Sequence, residues 1–426
     1  MAPQPGPVVV VGAGLAGLCC ALHLERRGVA VRLLEAGDRP GGVLRTDRVE
    51  GFLLDRGFQV FQTAYPEARC MLDYPALALR PFAPGAFVRR GGRARRVGDP
   101  LRRPADALPT LRSGLFTAGD AWRVLRLRRE LSALPLEELL RRPGRPTRRA
   151  LQARGFSAKA IQGFFEPFYR GVFLEPELAT SSRFFEFTFR MFATGDVCLP
   201  AEGMEAIPRQ LAARLAAGTL RTGARVSAVD DEGATLAGGE RVTGRAVVVA
   251  TSLPEATRLL PELGSRPSNG VQCVYFDVPG PAPVAGPRLW LNADEPGPVS
   301  HLCFPSEVSA SYAPAGHTLA SVSLVPGRAD PDPTLAEAVQ AQLRGWFGSG
   351  VDAWRLLRVD RLPDALPRQT PELLDPVTRG SHVTGRRFAC GGHRETASIG
   401  GAMRSGRRAA RAVLQALGVA RSPRAA

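Results

Sequence analysis

The stretch from Val8 to Glu35, VVVVGAGLAGLCCALHLERRGVAVRLLE, constrains this chain more than any other. Four successive valines read as a parallel strand buried on both faces, where polar alternation is not needed. Gly12-Ala13-Gly14-Leu15-Ala16-Gly17 follows at once, and Leu18, Ala21, Leu22 and Leu24 then recur at helical spacing until Gly28. A second strand over 29–34 ends on Glu35. In such a unit the first glycine allows the tight turn, the second lets backbone approach a pyrophosphate, and the third packs the helix close to the sheet. The free amides and positive end of the helix seat an anion. An acid about twenty residues on can accept hydrogen bonds from a ribose diol. Gly12, Ala13, Gly14, Leu15, Ala16, Gly17, Glu35 and the adjoining Ala36 are therefore candidate dinucleotide contacts; the bland alternative is a merely structural βαβ unit.

At 426 residues the chain has room for two domains. Seven cysteines, an odd number without a C-x-x-C pair, argue for reduced thiols and against a zinc site, so no metal is expected. No apolar run approaches the roughly twenty residues that span a bilayer, and Met1 to Pro7 shows no secretory pattern. These observations predict a cytoplasmic protein. The formal charge is +16, and Lys159 is the one lysine. Arg80 to Arg149 holds 18 arginines against six acids, 18 − 6 = +12 of that total. A solvated basic face is the first reading, and peripheral contact with an anionic membrane through Arg80–Arg149 the second. Nucleic acid is not expected as a partner, because few aromatics interleave with these arginines and no nucleic-acid module is present.

After Glu35 come Arg39-Pro40-Gly41-Gly42-Val43 and Arg45, then FLLDRGFQVF over 52–61, read as a strand entering a loop at Asp55-Arg56-Gly57, with Gly57 and Phe58 as candidate cofactor contacts. Paired glycines suit backbone lying against a cofactor, and Arg45 could pair with pyrophosphate. With Gly12-x-Gly14-x-x-Gly17, Glu35, Arg39-x-Gly41-Gly42 and Asp55-x-Gly57, the chain resembles the flavin-containing amine oxidase superfamily, which includes protoporphyrinogen oxidases and phytoene-type desaturases. The resemblance implies FAD as cofactor and a fold of α/β and α+β character. A discontinuous Rossmann-type FAD domain would span 1–75, 199–265 and 364–426. An interleaved substrate domain of antiparallel sheet and helices would span 76–198 and 266–363. It also implies an adenine contact at Val226, on a strand read over 223–229, and a return strand ending near Ala250. Further on, Gly391, Gly392, Ser398 and Ile399 would bring a helix N-terminus to the flavin. The family commonly has Asp where this chain has Gly392, so one hydrogen bond to the ribityl chain is expected to be missing.

From Phe156 to Phe192 lie 11 of the 29 aromatic residues. Ile161, Phe164, Phe165, Phe168, Tyr169, Val172 and Phe173 share one helical face. Such a stripe is either core or the wall of an apolar tunnel; Phe165, Tyr169, Phe185 and Phe189 are the candidate substrate contacts. Amine-oxidising members of the resembled family place a lysine near the flavin. Lys159, on a helix far from that position, does not suit the role. The expectation is an FAD-dependent oxidoreductase taking hydride from a lipophilic, polyene- or tetrapyrrole-like substrate. His393 and Arg394, beside the expected flavin site, are the polar candidates for catalysis. A redox-neutral flavin isomerase and a non-catalytic flavin-binding protein stay open as alternatives.

Overall fold

The computed structural model describes residues 6–294, 297–324 and 331–419. The opening residues 1–5, read above for a leader, and the last residues of the expected FAD domain lie outside the described residues.

A six-stranded sheet runs in the order Leu220–Arg221, Val31–Leu34, Val8–Val11, Ala246–Val249, Arg387–Ala389, His382–Thr384. Its neighbours pair in parallel except the last two. Val8–Val11 occupies the middle with all four valines buried, as a strand covered on both faces requires. The helix Leu15–Glu25 lies against the long C-terminal helix Ile399–Ala416. Gly406 sets the closeness of that packing, since a Cβ there would lie 2.1 Å from the Ala16 carbonyl oxygen.

A seven-stranded sheet has the order Arg355–Pro367, Ser268–Pro279, His317–Leu324, Val299–Cys303, Leu289–Asn292, Gly85–Arg90, Arg93–Gly98. The hairpin over 85–98 joins it through parallel pairing of Leu289–Asn292 with 86–89. The helix Asp332–Phe347 buries Leu335, Val339 and Leu343 in a core with Val274, Phe276 and Trp290. Helices between 107 and 194 form a third group.

Two local expectations differ from the structure. The expected strand over 223–229 is instead Val226–Asp230, and it leaves the parallel sheet for an antiparallel meander with Gly233–Leu236 and Arg241–Thr243. Ser227 and Asp230, three apart, put a polar group on each face, so the strand does not suit a sheet covered on both sides. Leu220–Arg221 takes the sheet edge. The strand read as entering a loop at Asp55 does so: Phe52–Asp55 ends there, and Phe61–Gln62 beyond the loop pairs elsewhere. The aromatic helix is not uniform: Ile161–Phe165 forms a π-helical turn before Glu166–Phe173. Pro167 has no amide to close an ordinary turn there, and such wide turns gather at functional sites.

Replacing Gly406 by Val should destabilise the protein by roughly 1–3 kcal/mol, the range for overpacking a tight contact. Gly238→Ala, where a Cβ meets nothing within 4 Å, should change stability by less than about 0.5 kcal/mol. Thermal unfolding midpoints compare the two.

Candidate active site

Residues from both sheets and from the helical group wall one continuous cavity of about 1250 Å³. Part of its wall is the first strand–helix turn. Gly12 has φ +101°, and a Cβ there would come 2.9 Å from the Ala250 carbonyl oxygen, so only glycine fits. Gly17 stays off the wall and acts from behind, where a Cβ would lie 1.9 Å from the Gly12 carbonyl oxygen. Leu18 N is the first helix amide bonded back to the turn, at 2.9 Å from Gly14 O. The preceding amides of Leu15 and Ala16 stand at the cavity, and Gly14 has no side chain to cap them.

The paired glycines lie directly on this turn. Gly41 N donates to Ala13 O at 2.9 Å, and a Cβ at Gly42 would lie 3.3 Å from Gly14 Cα. Arg39 anchors the loop from outside the cavity: its Nε donates to Glu205 Oε2 at 2.9 Å and its guanidinium pairs with Asp47. Arg45, expected to face pyrophosphate, is paired instead with Asp38 and does not reach the wall. A carboxylate seven residues away captures it first. Glu35 is held by two backbone amides, Ala13 N on Oε2 and Gly37 N on Oε1, both at 2.8 Å. Each carboxylate oxygen keeps a further lone pair, and Glu35 lines the cavity.

Ala36, Gly42, Val43, Gly57, Phe58, Val226 and Ala250 share this wall. The Val226 carbonyl already accepts from Arg258 Nη2 at 2.8 Å, so one of its two lone pairs is taken. Gly391, Gly392, Ser398 and Ile399 complete the wall from the C-terminal side. Ser398 caps the last helix, its Oγ accepting from Gly401 N at 2.9 Å. At Gly392 a Cβ would lie 3.3 Å from Ala397 Cα, a tight approach.

The structure separates the two polar candidates. His393 is on the wall and buried, with Nε2 unpartnered. Burial first, then the guanidiniums of Arg394, Arg266 and Arg379, hold its pKa down at about 3, so the ring is neutral. Arg394 sits off the wall and donates to the Gly380 carbonyl. Burial and neighbouring guanidiniums push it down to about 10.

Among the aromatic candidates, Phe165, Tyr169 and Phe189 reach the cavity. Phe185 does not. It is enclosed by Tyr169, Phe189 and Phe165, with ring centroids 5.0, 5.8 and 6.2 Å away, and belongs to the core. Phe164, Phe168, Phe184 and Phe192 also face the cavity. The helix Ala118–Ala133 adds Ala121, Val124 and Leu125. His301 carried no sequence signal. It lies on a buried strand, its Nδ1 2.9 Å from Ser300 Oγ and its Nε2 2.8 Å from Pro167 O, and burial lowers its pKa to about 4. Lys159 is exposed and away from the wall.

The family model described as flavin containing amine oxidoreductase matches residues 15–414. Protoporphyrinogen oxidase 2 of Arabidopsis thaliana is 31% identical over 118 residues, 28% of this chain and 23% of that protein. A hydroxyneurosporene desaturase of Rubrivivax gelatinosus is 50% identical over 54 residues, 13% of this chain and 10% of that protein. The matches thus span less than a quarter of these relatives. The solved structure of cyclohexylamine oxidase from Brevibacterium oxydans superimposes with a TM-score of 0.72 at 15% identity, covering 97% of this chain and 100% of that one. At that identity the likeness shows the fold.

His393 and His301 titrate below the free-imidazole value of 6.5, so the unfolded chain takes up protons that the folded chain refuses. Their contribution is present above pH 6.5 and is lost as pH falls toward about 4 and about 3. Asp55, pushed up to about 6 by burial, acts in the opposite sense above 3.8. His393→Asn should therefore lose less stability than the parent on acidification, read as urea midpoints across that range; parallel slopes would contradict a neutral buried His393.

Proposed function

Because the chain belongs to the flavin-containing amine oxidoreductases, with FAD as cofactor, we propose that it is a desaturase or dehydrogenase acting on a lipophilic, polyene- or tetrapyrrole-like molecule. The observation that carries this reading is the continuity of the cavity: the glycine turn and the phenylalanine-rich wall bound the same space. At about 1250 Å³ it exceeds the roughly 300–1,000 Å³ of a single-ligand pocket, leaving room for an extended cofactor and a second molecule. The relatives named for protoporphyrinogen and hydroxyneurosporene support the two substrate classes.

The residues present fit the cofactor. The uncapped amides of Leu15 and Ala16 would hold its phosphates, Glu35 its ribose, and Val226 its adenine. The start of the helix Ile399–Ala416 would face the electron-rich edge of the ring, where its positive end stabilises added negative charge. When bound, FAD supplies the hydride acceptor at ring N5. The chain's own part is to bind, orient and exclude water. Phe164, Phe168 and Phe189 offer an apolar surface that selects an apolar substrate and keeps the site dry. Neutral His393 can accept a hydrogen bond at Nε2 from a bound molecule, and its low pKa makes it a poor proton carrier near neutrality. The exposed position of Lys159 speaks against amine oxidation, for which the resembled family uses a lysine near the ring.

The purified protein should show a flavin spectrum that bleaches anaerobically on mixing with a polyene or porphyrinogen. Turnover only with pre-reduced flavin and an isomeric product would instead mark an isomerase; a colourless protein that takes up no flavin would mark neither. Phe189→Asp should keep the flavin but raise KM by roughly 10- to 100-fold, the loss of one well-buried apolar contact. Gly12→Val should lose the flavin, measured as absorbance per protein.

A further inference from the structure

Among the described residues, five of the six exposed large apolar side chains fall in one short stretch: Leu101 at 60%, Leu108 at 52%, Leu111 at 71%, Trp122 at 58% and Leu125 at 46%. Three segments carry them: the loop after the strand Arg93–Gly98, the helix Ala107–Arg112, and the helix Ala118–Ala133. Each segment also supplies a residue to the cavity wall, Leu101, Thr110 and Leu125 respectively. The segments are tied together, Gly98 N donating to Thr110 Oγ1 at 2.9 Å and Arg128 Nη1 to Asp99 Oδ2 at 2.6 Å. The exposed groups therefore border one side of the cavity. Scattered surface leucines need no explanation, but a cluster of this kind does.

Charge tells what the cluster suits. Residues 101–129 contain seven arginines and two acids. Both acids are 0% exposed: Asp106 is held by Arg96 and Arg288, and Asp120 by Ser157. Arg103, Arg112, Arg126 and Arg129 are exposed and form no salt bridge among the described residues. Arg126 lies over the Trp122 ring at 5.6 Å. Within residues 101–129 no carboxylate faces outward, and the acids that meet this face from neighbouring segments, Asp99 and Asp196, are paired with Arg128 and Arg102, which leaves four unpaired guanidiniums beside the apolar groups. A second copy of the chain would present the same positive sign and be repelled. The headgroup layer of an anionic leaflet accepts both, phosphates taking the arginines and the acyl boundary taking Leu and Trp. No helix among the described residues is long and apolar enough to cross a membrane, so the contact is confined to the surface.

We propose that the face formed by residues 101–129 docks on an anionic lipid leaflet and sets the cavity mouth against it. This goes beyond the oxidation reaction and is read without turnover. The test is flotation of the flavin-loaded protein with vesicles of phosphatidylcholine alone or mixed with phosphatidylglycerol, at low and high salt. The protein should float with the mixed vesicles at low salt only, with a blue shift of tryptophan emission that Trp122→Ala removes. Leu108→Asp with Leu111→Asp should abolish flotation. Replacing Arg103, Arg112, Arg126 and Arg129 by Gln should weaken partitioning by roughly fivefold per arginine. Flavin retention confirms that each variant is folded. Absence of flotation with mixed vesicles, equal flotation with neutral ones, or flotation unchanged in both variants would overturn the proposal. So would a dimer in sedimentation velocity that the leucine variant dissolves without any vesicle binding.

Discussion

Distant pieces of backbone meet at the N-terminal end of the helix Leu15–Glu25 with no side chains between them. Gly17 sits on the Gly12 carbonyl, Gly42 on Gly14, and Gly406 on the Ala16 carbonyl, each at a distance that a Cβ would violate or crowd. Bringing residues 12–17, 41–42 and 406 this close leaves the first helix amides facing the cavity instead of a neighbouring side chain. Glycine loses more conformational freedom on folding than any other residue, so such a junction is stabilised by what surrounds it. Here the surroundings are the four-valine strand, the parallel strands beside it and the helix Ile399–Ala416.

Around that junction the chain uses its acids sparingly and mostly as anchors. Asp106 joins the hairpin strand Arg93–Gly98, through Arg96, to Arg288 at the start of Leu289–Asn292, two places along the sheet. Glu130 and Glu186 share Arg142 and Arg154, binding the helices Ala118–Ala133 and Ser182–Thr194. Asp55 receives Met204 N and the Tyr312 hydroxyl, both at 2.9 Å, and its carbonyl accepts from the Tyr275 hydroxyl, linking the hairpin before Gly57 to the second sheet. Removing one partner of such a buried pair leaves the other charge stranded, which is the costly event, rather than the pair itself being a large gain. Because so many acids point inward, the arginines between 101 and 129 dominate the surface there.

The features legible in sequence were those that follow from local geometry. Gly12 has a job set by dihedral angle, the tight turn, and its φ of +101° makes that turn. Partner choice was not legible. Arg45 reads as a pyrophosphate partner or as a surface arginine beside a glycine turn, and the structure pairs it with Asp38. Phe185 has the same chemistry as Phe189, and only the packing of two helices decides that one is core and the other wall. His301 became a wall residue because the strand Val299–Cys303 passes under Pro167, 134 residues earlier in the chain.

The sequence alone determined the opening strand–turn–helix–strand unit, its free amides, the acid at its end and the capped final helix, since each depends on residues within a few turns of one another. Tertiary structure decided that these elements share one cavity with the aromatic helices. It also decided that His393 stands neutral on the wall while Arg394 does not reach it. Hydrophobic periodicity says which face of a helix is buried, but not what buries it; that depends on contacts between segments hundreds of residues apart.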